Sequence, residues 1–81
     1  MSNTEQALRE LLETVFDGEI DASSLKGTAR LQEDAGLNSV AMLYMAVAIE
    51  ERFGVKLLSS DLPGLTTIDD VVRLIEERRA K

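Results

Sequence analysis

The chain contains no cysteine and no histidine. The first absence rules out a disulfide framework and any thiolate of the protein's own; the second removes the imidazole base and His-containing metal sites. No metal site is expected. Tryptophan is missing, proline occurs once, at Pro63, and the only aromatics are Phe16, Tyr44 and Phe53. With 44% hydrophobic residues, the core must be assembled from Leu, Val, Ile, Met and Ala, which suits helix packing better than a sandwich.

Basic residues are scarce, nine against fifteen acidic. The resulting net charge of −6 repels nucleic acid and anionic membranes and favours basic protein surfaces. Arg78, Arg79 and Lys81 form the one basic cluster, and they read as helix-end cations complementing the macrodipole, with no binding role. No apolar run approaches the roughly 18 residues of a membrane span, and "MSNTEQAL" lacks the basic start and apolar stretch of a secretion signal. The expectation is a cytoplasmic monomer with no membrane insertion.

Eighty-one residues make one domain, 1–81, near the size where a single core only just outweighs chain entropy. The expected fold is all-α, a four-helix bundle. Over residues 4–16, Ala7, Leu8, Leu11, Leu12, Val15 and Phe16 recur at helical spacing, and both Ser2 with Glu5 and Asn3 with Gln6 offer capping-box pairs. From Asp17 to Asn38 periodicity fades, which predicts a long loop anchored by Leu25 and Leu31. A second helix is expected from about Ser39 to Phe53, closed by Gly54. In "VKLLSSDLPGL" an extended piece leads to a short third helix capped by Ser59 or Ser60 and interrupted by Pro63 and Gly64. The last helix starts at Thr66 or Thr67 and buries Ile68, Val71, Val72 and Ile75.

The second helix has more apolar surface than a bundle of this size can cover. Met42, Met45, Ala46, Ile49 and Phe53 form a core stripe with Leu43 at its margin, while Val40, Tyr44 and Val47, padded by Ala41 and Ala48, line another side. Either neighbouring elements enclose this helix, or the second stripe is an exposed protein-docking patch.

Ser39 stands at the head of that helix. As a nucleophile it lacks a histidine base, and Lys26, Lys56 and Lys81 are the only lysines, so autonomous acyl transfer is disfavoured. As an N-cap it competes with Asn38, which serves equally well and would leave Ser39 in the first turn. There a phosphate ester would meet the positive end of the helix dipole and backbone N–H groups without intrahelical acceptors.

"GLNSV" entering "AMLYMAVAIEERFGV", followed by "TTIDDVVRLIEE", resembles the acyl carrier protein family, which includes peptidyl and aminoacyl carrier domains. The likeness runs along essentially the whole chain, and G-x-(D/N)-S-(hydrophobic) gains its specificity from the helical layout around it. It implies an acyl-carrier-like bundle in which Ser39 bears 4′-phosphopantetheine, installed from coenzyme A by a Mg²⁺-dependent phosphopantetheinyl transferase. The protein would then be a carrier without catalysis of its own, holding an acyl or aminoacyl group as a thioester. Its partners would be an acyl- or amino acid-activating ligase or synthase and a downstream transferase. Asn38 stands where the family usually has aspartate, Val40 replaces leucine, and Ala41 and Tyr44 occupy positions acidic in fatty-acid carriers. Glu50, Glu51 and Asp61 remain for basic partners, so docking through Val40, Ala41, Tyr44 and Val47 should lean on apolar contact. That balance favours a specialised carrier; the reading from another class is a helical adaptor that uses the same face without a prosthetic group.

Overall fold

A computed structural model describes residues 2–79. Lys81, the last member of the basic cluster, lies outside the described residues. The elements follow in the order α1 (Asn3–Val15), α2 (Ser39–Phe53), a 3₁₀ helix (Ser59–Gly64) and α3 (Ile68–Arg79). The all-α fold with a long loop between the first two helices is as expected from the sequence, and α1 packs on both α2 and α3.

Ser2 caps α1, its Oγ accepting from the Glu5 N–H at 3.0 Å. The reciprocal half of the box is not made, because the Glu5 carboxylate pairs with Arg9 at 2.9 Å. Asn3 already lies inside the helix, so the alternative start at Asn3 and Gln6 is not used. Leu8 and Leu12 are fully buried, and between them in sequence sits an unexpected core residue, Arg9, only 6% exposed. Arg9 Nη1 donates to the carbonyls of Ala22 at 2.6 Å and Leu25 at 2.5 Å, while Nε and Nη2 donate to Glu5 Oε2. The planar guanidinium serves all these acceptors at once, which the point charge of lysine does not.

Arg9 thereby fixes the long loop to α1. Leu31 is buried as expected and Leu25 half-buried, and Ile20, Ala22 and Leu37 are further anchors. The loop is also moored to the start of α3: the Leu31 N–H donates to the Thr66 carbonyl at 2.9 Å and the Asp69 N–H to the Gly27 carbonyl at 3.0 Å. An isolated antiparallel bridge joins Arg30 and Thr67. Gly27 permits the approach, since a Cβ there would run into the Asp69 carboxylate.

α2 is capped at its start by Asn38, whose Oδ1 accepts from the Ala41 N–H at 2.8 Å, and at its end by Gly54 in the left-handed region, φ 68°. Met42, Met45, Ala46 and Ile49 are buried and Phe53 is half-buried. The next element differs from expectation. Pro63 and Gly64 lie within the 3₁₀ helix rather than interrupting it, and no serine caps it; the Asp61 carboxylate accepts from the Leu58 N–H at 2.8 Å instead. α3 starts from a closed capping box, in which Thr67 Oγ1 accepts from the Asp70 N–H and the Asp70 carboxylate from the Thr67 N–H, both at 3.1 Å. It buries the four residues foreseen, Ile68, Val71, Val72 and Ile75.

The arginines near the end of α3 do more than balance its dipole. Arg78 binds Asp61 Oδ1 at 2.9 Å and the Lys56 carbonyl at 2.8 Å. Arg79 lies over the Phe53 ring, 5.8 Å from its centroid.

Replacing Arg9 by Ala strips buried carbonyls and Glu5 of their donor, and stability measured by urea unfolding should fall by about 3 kcal/mol. A loss below roughly 1 kcal/mol would mean that water replaces the guanidinium without cost. Asn38→Ala should lower stability by about 1 kcal/mol, whereas Asn38→Asp keeps the cap and should unfold no earlier than the native chain in a thermal melt.

Candidate functional site

Ser39 is the first residue of α2 and is exposed. Of the two caps the sequence offers, Asn38 fills the role, so the Ser39 hydroxyl is not tied up in capping. Gly36, at φ 77°, turns the chain just before the site, and buried Leu37 fixes its direction through its N–H to the Leu31 carbonyl at 3.0 Å. The first turn of α2 contains no acidic residue, whereas α1 has Glu5 there and α3 has Asp69 and Asp70. The positive end of the α2 dipole therefore lacks a carboxylate from its own first turn, next to an accessible hydroxyl.

Between α2 and the 3₁₀ helix an open groove of about 360 Å³ runs from Ser39 over Met42 and Leu43 to Ser59, Leu62 and Pro63, with Gln32 at its edge. Gln32, Met42, Leu62 and Pro63 also line a more enclosed cavity of about 170 Å³ that reaches Arg30, Glu33, Leu65 and Thr66. A slender arm with amide groups, attached at Ser39, fits this surroundings: Met42 and Leu62 give an apolar floor, and Gln32 and Ser59 give polar edges. On the opposite flank, Phe16, Gly36, Asn38 and Ala41 border a second groove of about 320 Å³.

The outer side of α2 is uncovered. Val40 is 59% exposed, Leu43 53%, Tyr44 64% and Val47 52%. Ala41 is half-buried at the edge. Leu43 was expected at the core margin, but Met42, Met45 and Ala46 take the inward positions and leave it outside. The carboxylates nearby are mostly engaged. Glu50 accepts from the Leu57 N–H at 2.8 Å, and Asp61 holds Arg78 and the Leu58 N–H. Arg78 above all, then the Leu58 N–H, keeps the Asp61 carboxyl below its ordinary value. Glu51 is exposed.

Ser39, Asn38 and the apolar stripe, named from the sequence, lie at the start and along the outer side of α2, whereas the groove had no sequence signal. Gln32, Ser59, Leu62 and Pro63 come from the loop and the 3₁₀ helix, neither of which has a periodicity that announces its neighbours. Among the described residues no cluster of His, Cys, Asp or Glu is arranged to hold a metal ion, and no helix is long and apolar enough to cross a membrane.

The family model described as "Phosphopantetheine attachment site" matches residues 6–75, which include the loop, Ser39, all of α2 and most of α3. The chain is 34% identical over 70 residues to the meromycolate extension acyl carrier protein of Mycolicibacterium aurum, covering 86% of this chain and 70% of the relative. It is 36% identical over 78 residues to the acyl carrier protein MbtL of Mycobacterium sp. (strain MCS), covering 95% and 88%. A 55-residue match to MbtL of Mycolicibacterium paratuberculosis reaches 44% identity, over 68% of this chain and 62% of the relative. With a serine-headed helix inside the matched span and a bundle around it that suits a tethered arm, the chain belongs to the acyl carrier protein family, whose members carry 4′-phosphopantetheine.

Proposed function

We propose that Ser39 is the attachment residue and that this protein is a specialised shuttle with no catalysis of its own. The observation that carries the assignment is the exposed Ser39 hydroxyl at the first position of α2, left unused because Asn38 supplies the cap. In the loading step Ser39 Oγ forms a new bond to the phosphorus that bears pantetheine, the diphosphate bond of coenzyme A breaks, and adenosine 3′,5′-bisphosphate leaves. The base that takes the serine proton comes from the transferase, since this chain has no histidine. Once attached, the group supplies the thiol that holds an acyl or aminoacyl cargo as a thioester. The chain's own residues would hold it: the N–H groups at the start of α2 would meet the phosphate, and Gln32, Met42, Ser59 and Leu62, which line the groove at Ser39, would border the arm.

Val40, Ala41, Leu43, Tyr44 and Val47, flanked by Glu51, are the proposed docking face for a phosphopantetheinyl transferase, a dedicated ligase or synthase and a downstream transferase. Completing the burial of its four large, half-exposed residues is worth roughly 3–7 kcal/mol. Association costs about 4–15 kcal/mol, so this patch alone gives a transient complex, as a shuttle requires. Engagement of Glu50 and Asp61 within the fold supports apolar rather than charge-led docking. A relative named for meromycolate extension supports a dedicated rather than a general carrier.

Intact-mass measurement after incubation with coenzyme A and a broad-specificity transferase should show one added phosphopantetheine, absent in Ser39→Ala. An unmodified native chain, with Ser39→Ala still binding the natural partner, would turn the reading to a helical adaptor. For docking, Val47→Glu should raise the loading enzyme's KM by roughly tenfold, a cost of about 1.4 kcal/mol. Loading should also decline only slightly as salt rises; a steep decline at modest salt would contradict apolar docking.

A further inference from the structure

The chain has six arginines and a surplus of carboxylates, and four of the six are paired: Arg9 with Glu5, Arg30 with Glu33, Arg73 with Asp70 and Arg78 with Asp61. Arg52 and Arg79 are the two that meet no carboxylate among the described residues. They come from the last turns of α2 and α3, and both are exposed. Both guanidinium groups lie over the half-buried ring of Phe53, at 5.2 and 5.8 Å from its centroid. Arg79 also donates to Thr4 Oγ1 at 3.4 Å, near the start of α1. A cation anywhere in the last turn complements a helix dipole; that does not require arginines of two helices to meet at one ring, where they repel each other. Attraction to the ring offsets part of this repulsion and, among the described residues, leaves most of their N–H donors free of protein acceptors.

We propose that Arg52 and Arg79, gathered at Phe53, form a second interaction surface that takes an acidic segment of a protein partner. The inference is independent of the assignment of Ser39, and it gives Arg79 a binding role that the sequence alone did not suggest. Guanidinium groups match carboxylates two N–H bonds at a time, and groups already restrained by a ring lose less freedom on binding. Two of them at one ring suit two carboxylates close together in a segment, with Phe53 as the apolar contact. An extended polyanion such as nucleic acid, or an anionic membrane, would also meet the rest of this −6 chain within the roughly 8 Å over which its charges act. A short acidic segment meets only the local field. Glu51, next to Arg52, and Glu76, which shares a shallow recess with Arg79, Asn3 and Thr4, weaken that field without forming an ion pair there. At about 1.5 Å per residue, Arg52 lies about 20 Å along α2 from Ser39, so a partner held here leaves the Ser39 end accessible.

The probe is a hexaglutamate peptide titrated into the ¹⁵N-labelled full chain at low salt, with backbone and arginine side-chain N–H signals followed by NMR. Signals of Arg52, Phe53 and Arg79 should shift together, while those of Ser39 and of the ion-paired Arg30 and Arg73 stay in place. Arg52→Gln and Arg79→Gln should each weaken peptide binding roughly threefold and the double variant about tenfold, whereas Arg73→Gln should leave it unchanged. Glu76→Gln should tighten binding about twofold, a direction that damage to the fold does not produce. Circular dichroism confirms that each variant keeps its helices. Shifts spread evenly over all exposed arginines, or an affinity that the Arg52 and Arg79 variants leave unchanged, overturn the proposal. So does tighter binding of inorganic phosphate or of phosphatidylglycerol vesicles than of the peptide, which would make this an anion or membrane site. Loading at Ser39 is read separately by mass and is untouched by either outcome.

Discussion

Everything at the Ser39 end of the molecule depends on a charge buried in the first helix. Arg9 sits beside Leu8 in the interior face of α1, and its guanidinium reaches out to the carbonyls of Ala22 and Leu25. Those carbonyls belong to a loop with no ladder to satisfy them, and a loop this long is otherwise entropically free. By donating to Glu5 on one edge and to the loop carbonyls on the other, the guanidinium compensates its own desolvation and gives the loop a fixed path. The apolar anchors Ile20, Ala22, Leu31 and Leu37 follow that path into the core, and Leu37 delivers the chain to Asn38 and Ser39.

What was legible in the sequence was whatever has a period or a cap. The α1 and α3 stripes, the limits of α2 and the glycine that ends it follow from helical spacing and from residues whose conformational preferences are strong, and the fold repeats them. The same spacing separated the buried side of α2 from Val40, Tyr44 and Val47. It misplaced Leu43 because a wheel gives an angle and not the width of the neighbour that must cover it. Arg9 was invisible for a different reason: an arginine three residues before Leu12 reads as a solvated side chain, and only the return of the loop over it makes it a donor. In the 3₁₀ helix the serines read as caps from the sequence, but the Asp61 carboxylate takes the Leu58 N–H, while the second partner of Asp61, Arg78 from the last helix, is remote in sequence.

The site combines two economies of charge. The start of α2 withholds the acidic residue that its sister helices place there, and the nearby carboxylates Glu50 and Asp61 are spent on holding the segment between α2 and α3. A negative group arriving at Ser39 would thus meet a helix end with few competing anions, while the outer face stays nearly uncharged from Val40 to Val47. Stability and presentation are divided along one helix, with the methionines and Ile49 serving the fold and the opposite side left free.

The mooring of the loop to α3 sets an order of events during synthesis. Leu31, Arg30 and Gly27 find their backbone partners in Thr66, Thr67 and Asp69, which leave the ribosome well after Ser39 does. Until those residues emerge, the approach to Ser39 lacks its far attachment, and the serine is presented on an incompletely fixed strand of chain. The surroundings of Ser39 are therefore complete only when Thr66, Thr67 and Asp69 are in place, so the geometry around the serine is a property of the whole fold and not of the helix it heads.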